Sequence, residues 1–537
     1  MSVAVLIRGG TVFDGTGAAG VRADVAIDDG RVVAVEPDLS GAEGRVTVDA
    51  AGKYVTPGFV DIHTHSDRSI LINGRMESKI RQGVTTEVGG NCGSGTAPAL
   101  GAAVGKTNPD DRPERALENR TWPTMAAYLE EVERSKISGN YCTWVGHGTL
   151  RASTVGYAMR RPTGDELEAM RRLLHESLEA GALGVSTGLI YSPSGFAETD
   201  EIVALAEVAR EHGGLYASHI RNESSKLLEA VGEAIEIGRR GGVPVQVAHH
   251  KASGRSNWGL VEESLALMDR ARAEGVDVAC DQYPYIASST GLTSVLPKWA
   301  LEGGREAIVE RLADRETREK IRGEMLTSRP DYASLEEGQG WHNILVARCR
   351  GDRALEGRRL GEVAAERGVD PFELAFDVLV ASDANVGCVF FSMCEPDVRT
   401  VMRWPHTMVG SDASSVAPYG SLGEGKPHPR AYGTFARVLG RYVREQGVLP
   451  WEAAIHKMTG QPAARLGLKE RGTLAAGQWA DVVVFDPESV QDEATFVEPH
   501  TYAAGIEQVL VNGVPVIADG EHTGALPGRV LRRGADA

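Results

Sequence analysis

The chain has 537 residues, 42% apolar and 24% charged, which is enough for one large domain with a smaller companion. A formal charge of −17 repels phosphate backbones and anionic lipid, so neither nucleic acid nor a membrane is an expected partner, and an anionic small substrate needs local cations. No apolar run approaches the ~20 residues of a spanning helix, and cysteines 92, 142, 280, 349, 388 and 394 contain no CxxC pair, so the expected setting is a reducing, cytoplasmic one.

Residues 1–55 alternate short apolar strands (3–7, 24–27, 31–35, 45–49) with Gly-rich turns. The same texture returns in residues 466–537, with strands at 481–485, 506–511 and 514–517. Two strand-rich ends around a different middle predict one small β-sandwich assembled from both termini. Between them, residues 56–465 alternate apolar strands (58–63, 85–89, 141–146, 182–187, 215–219, 243–249, 276–281 and 407–410) with amphipathic helices such as 165–180, 199–211, 226–240 and 260–274. Eight buried strands alternating with helices predict an α/β fold of the (β/α)8 TIM-like barrel type. The segment 286–346 breaks the alternation: a charged helix-prone stretch, 301–324, precedes the turn-rich 327–340. It reads as a cap inserted on the active-site face.

The chemistry-bearing residues sit at the strand ends. GFVDIHTHSD ends the first strand in His63 and His65, two residues apart and so on one side of an extended chain. Cys92 follows the second strand among glycines, where a thiol near a metal becomes a strong thiolate ligand. His219 ends the fifth strand, and His249 with His250 ends the sixth; neighbours on a strand face opposite ways, so only one of that pair points inward. Asp412 ends the eighth strand, where a carboxylate can bind metal and accept a proton from water. Tyr191 follows the fourth strand and is a candidate donor to a developing oxyanion. His147, after the third strand, reads as a supporting residue.

As a set, GNCG (90–93), GVSTGLIYSPSGFA (184–197), SHIRNE (218–223), HHKASG (249–254), DQYPY (281–285) and GSDA…HPRAYGTF (410–435) resemble the N-acyl-D-amino-acid deacylases, or D-aminoacylases, of the amidohydrolase superfamily. The resemblance spans nearly the whole chain. It implies a tight zinc on Cys92, His219 and His249, and a second, weaker metal position on His63, His65 and Asp412, with Cys92 able to bridge. Its SHxK pattern selects His249 over His250, although the serine is Ala248 here. It further implies that Lys251, Tyr283 and Arg430 clamp the α-carboxylate of a small-molecule N-acyl amino acid. Asp412 would serve as general base and then acid in releasing a carboxylic acid and a D-amino acid.

Hydantoinase- and dihydroorotase-like relatives carry a bridging lysine on the fourth strand. That strand has none here, which favours linear N-acyl over cyclic amides. Carbamate or isoaspartyl dipeptide hydrolysis and, remotely, a non-catalytic scaffold are the competing readings. No arginine lies within 288–298, which disfavours strict preference for an acidic D side chain. Assembly into a homo-oligomer is left open by the sequence.

Overall fold

A computed structural model describes residues 1–104, 117, 120–327 and 340–534. Of the turn-rich stretch expected before residue 340, residues 328–339 lie outside the described residues.

Eight strand positions form a parallel ring: β1 (Phe59–Asp61), β2 (Val84–Gly89), β3 (Asn140–Thr143, continuing as Val145–Gly146), β4 (Gly184–Gly188), β5 (Leu215–His219), β6 (Val245–Val247), β7 (Val278–Gln282) and β8 (Thr407–Val409). Every residue of these strands is buried, as expected for parallel strands covered on both faces. The ring closes beyond β8, where Asp412 N–H donates to His63 O at 2.8 Å and Thr64 bridges Ala413. That closure already places Asp412 beside the two histidines of β1.

Four well-formed helices pack outside the ring: α1 (Gly164–Glu179), α2 (Thr199–Glu211), α3 (Leu227–Gly241) and α4 (Leu260–Ala273). α1 begins at a reciprocal capping box between Thr163 and Glu166, which satisfies two amides that the first turn leaves without partners. α3 buries Leu227, Ala230, Val231, Ala234 and Ile235 in a stripe and ends at Gly242, whose φ of 68° suits a residue without Cβ.

Both termini contribute to one nine-stranded hydrogen-bonded sheet. Its two halves join where Tyr54–Pro57 pairs antiparallel with Val482–Phe485, and Val5, Ile7, Val25, Val55, Val482 and Leu510 share a core. Asn512 and Asp481 of this sheet hydrogen-bond Asn140 at the start of β3, at 2.9 and 3.2 Å, and so fix the sheet to the barrel end opposite the site.

The insertion between β7 and β8 has its own three-stranded antiparallel sheet, in which Val386–Phe390 pairs with both Ser288–Gly291 and Ile344–Cys349. Leu292, Leu312, Ile321, Val346, Phe376 and Leu379 fill a separate core beneath it. The layer therefore continues to Phe390, past the expected boundary near residue 346. Its central strand is the last in sequence, so a reading that stops at the second strand truncates it.

Candidate metal centre

Three of the six expected ligands leave their strands through backbone that ordinary residues avoid. Cys92, His249 and Asp412 have φ of 52°, 35° and 51°, in the left-handed region. Such conformations persist when the surroundings over-determine them, and they cluster at functional sites. The glycines nearby allow the close packing: a Cβ on Gly188 would lie 2.1 Å from Cys92 O, and one on Gly410 2.7 Å from His63 Cβ. Ser186 of β4, in the strand that lacks a lysine, accepts from Gly93 N at 3.1 Å and fixes the Cys92 loop.

These constraints bring the side chains together. Cys92 Sγ lies 3.3 Å from His63 Nε2 and 3.4 Å from His249 Nε2, so one sulfur faces both expected metal positions. Asp412 Oδ1 is 2.9 Å from His65 Nε2 and 3.4 Å from His63 Nε2. The His219 ring stands 4.4 Å from that of His249, centroid to centroid, and neither of its buried nitrogens makes a hydrogen bond. A buried imidazole whose nitrogens make no hydrogen bond, with only Glu223 Oε2 at 3.9 Å from Nε2, is what a cation would satisfy. Sulfur, imidazole and carboxylate together suit zinc.

The electrostatics agree. Burial opposes ionisation of Cys92, yet the imidazoles of His63 and His249 hold its thiol well below the usual range. Burial likewise disfavours charge on His65, but its bond to Asp412 raises it to about 9. Burial opposes charge on Asp412, yet Arg430 foremost keeps it well below the ordinary carboxylate range.

His250 goes elsewhere: its Nε2 lies 2.7 Å from Ser264 Oγ in α4, and burial lowers it to about 3. The kink at His249 lets consecutive histidines serve site and scaffold. His147 joins Ser194 and Glu201, at 2.7 and 2.9 Å, and so anchors the loop that carries Tyr191.

The expected substrate residues also surround the metal position. Arg430 Nη1 is 2.8 Å from Asp412 Oδ2, and its guanidinium covers the Tyr283 ring at 4.5 Å. Lys251 Nζ is 5.6 Å from the same ring centre. Tyr191 stacks edgewise on His219 at 4.9 Å and accepts a hydrogen bond from Thr290 Oγ1 at 2.9 Å. Thr290 belongs to the insertion's first strand, and Arg430 donates to the adjacent Ser289 O at 3.3 Å. The inserted layer is therefore fastened to the site's own side chains.

Two carboxylates escaped the sequence reading. Asp281, in β7, accepts from His63 Nδ1 at 2.9 Å and from His249 N–H at 2.8 Å, aiming His63 Nε2 at Cys92. Glu223, in the loop after β5, lies 3.1 Å from His249 Nδ1 and 2.5 Å from Lys251 Nζ. Both stand inside the motifs DQYPY and SHIRNE; for Glu223 the available signal was an acid four residues after the strand-end His219, whereas the strand of Asp281 bears no histidine. Lys79 is also new: it pairs with Asp61 at 2.8 Å, fully buried, where Asp61 receives Ser411 N–H at 2.9 Å and ties β1 to the segment after β8.

Comparison with known proteins bears on the whole chain. A model of the amidohydrolase family matches residues 46–517. The D-aminoacylase of Alcaligenes xylosoxydans xylosoxydans is 39% identical over 531 residues, covering 99% of this chain and 98% of its own. The N-acyl-D-glutamate deacylase of the same organism is 40% identical, covering 99% and 97%. Among solved structures, the N-acyl-D-glutamate deacylase of Bordetella bronchiseptica, complexed with zinc and a phosphonate mimic of the tetrahedral intermediate, superposes with a TM-score of 0.82 at 37% identity, covering 99% of this chain and 100% of that one. The chain belongs to the amidohydrolase family.

Proposed function

We propose that this protein is a zinc-dependent hydrolase that cleaves the linear amide of N-acyl-D-amino acids, releasing a carboxylic acid and a D-amino acid. The observation that carries the reading is Cys92 Sγ within 3.4 Å of imidazole nitrogens from two other strand ends, with the buried His219, whose nitrogens make no hydrogen bond, packed on His249. Cys92, His219 and His249 would hold the tight zinc; His63, His65 and Asp412 would form the weaker position, with Cys92 shared. Bound zinc supplies Lewis acidity for the amide carbonyl and eases ionisation of water near neutral pH.

The chain's own residues do the rest. Asp412, buried and hydrogen-bonded to His65, takes a proton from the attacking water and delivers it to the leaving nitrogen. Tyr191 presents its phenol beside His219, where negative charge develops on the carbonyl oxygen. Arg430 and Lys251, flanking Tyr283, receive the α-carboxylate, which a protein of charge −17 otherwise repels. Arg430 then bridges substrate and Asp412, holding the base against the reacting centre. The identity with a D-aminoacylase and an N-acyl-D-glutamate deacylase supports the reaction class, and the arginine-free stretch 288–298 disfavours a strict preference for acidic D side chains.

No described helix is long and apolar enough to cross a membrane. Six unpaired cysteines support a reducing, cytoplasmic setting.

The test is a screen of zinc-loaded protein against N-acetyl-D- and N-acetyl-L-amino acids, hydantoin and dihydroorotate. Turnover of N-acetyl-D-methionine or -leucine well above every cyclic amide supports the proposal. Preference for hydantoin or dihydroorotate overturns it.

A further inference from the structure

His249 Nδ1 has two neighbours that make opposite demands on it. Lys251 Nζ lies at 2.8 Å and Glu223 Oε1 at 3.1 Å. An ammonium group only donates and a carboxylate only accepts. If Nδ1 accepts from Lys251, the ring proton sits on Nε2, 3.4 Å from Cys92 Sγ, and no lone pair remains there for a metal. If Nδ1 donates to Glu223, the Nε2 lone pair faces Cys92 and the metal position. Glu223 also holds Lys251 itself, at 2.5 Å, and its side chain is only 14% exposed. One carboxylate therefore touches both the ring that must ligate and the cation that competes for that ring.

We propose that Glu223 is a positioning residue that selects the metal-binding tautomer of His249 and draws Lys251 off the imidazole toward the substrate side. The inference rests on the zinc-hydrolase reading above. When His249 ligates through Nε2, its Nδ1–H goes to Glu223, and Lys251 keeps Glu223 as its partner with ammonium protons left over for an incoming carboxylate. Metal binding and carboxylate recognition are thereby joined at one side chain. Carboxylates that orient metal-ligating histidines are worth about 10–100-fold in metal affinity.

The test measures zinc affinity by chelator competition on the full-length protein, with His249→Ala as reference. Glu223→Leu should bind zinc about 10–100-fold more weakly, because Lys251 is left alone to hold the wrong tautomer. Glu223→Gln, whose amide oxygen can still accept a hydrogen bond from His249 Nδ1–H, should fall between Leu and wild type. Removing the competing donor as well, in Glu223→Leu/Lys251→Met, should recover most of the lost affinity, a non-additivity that a merely structural role does not produce. Long-range ¹⁵N–¹H spectra of the zinc-loaded wild type should place the His249 proton on Nδ1. Wild-type zinc affinity in Glu223→Leu, no recovery in the double variant, or a His249 proton on Nε2 would each overturn the inference while the zinc site stands. Wild-type affinity in His249→Ala would instead overturn the underlying reading.

Discussion

Arg430 and Asp412 form an ion pair of 2.8 Å in which both side chains are less than one-tenth exposed. Asp412 thus touches the imidazoles at one oxygen and the guanidinium at the other, which sets it between the candidate metal position and the proposed carboxylate site. Replacing it with alanine should remove nearly all kcat, on the order of 10²–10⁴-fold for loss of general acid–base catalysis, while leaving the tight zinc in place. Steady-state kinetics alongside metal analysis checks this; a variant retaining a tenth of wild-type turnover would show that another group is the base.

Arg430→Lys keeps a charge beside Asp412 but loses the planar, two-pronged geometry that matches a carboxylate. KM for an N-acetyl-D-amino acid should rise on the order of tenfold. For the corresponding substrate with its carboxylate converted to a neutral amide, KM should change little. Equal effects on both would place the carboxylate elsewhere.

Glu87 in β2 gives a pH prediction away from the metal. Its carboxylate is fully buried, and burial lifts it to about 7, against smaller opposing pulls from Lys79 and the Ser66 hydroxyl. Between its ordinary value of 4.5 and about 7 the folded protein holds a proton that the unfolded chain has lost, so this group's contribution to stability falls as pH rises through that window and is level above it. A shift of this size corresponds to about 3 kcal/mol. Glu87→Gln should therefore raise the melting temperature at pH 8 and have little effect near pH 4.5. A difference independent of pH would show that Glu87 is stabilised by contacts its surroundings do not display.

Zinc should stabilise the fold in proportion to its binding. Because a cation that binds only the native state adds about 1.4 kcal/mol per tenfold rise in its free concentration above Kd, thermal unfolding in zinc buffers should climb steadily. His219→Ala removes a buried imidazole whose nitrogens make no hydrogen bond, and should flatten the dependence. An undiminished slope in that variant would exclude His219 from the site.

The barrel was legible because its strands are apolar runs; His63, Cys92, His219 and Asp412 stood out as candidate ligands because they follow those runs directly. His249 was harder. Strand alternation says only that one of two histidines points inward, and the choice depends on a left-handed residue after β6 that no periodicity reveals. Glu223 and Asp281 were missed because their work is done on other side chains: the distance from Glu223 to His249 depends on how the loop after β5 folds back, which composition does not encode. Lys251 was read as a substrate clamp, yet its Nζ also rests on Glu223 and His249. The insertion was cut short because its central strand, Val386–Phe390, pairs with segments far behind it in sequence.

The most direct measurement is the zinc content and affinity of purified wild-type and Cys92→Ala protein after dialysis against micromolar zinc. A thiolate and imidazoles from separate strand ends around one ion predict one tightly held zinc per wild-type chain, and its loss, or an affinity weakened by at least about 100-fold, in the variant. Zinc held equally well without the Cys92 sulfur, or none held by the wild type, would contradict the account.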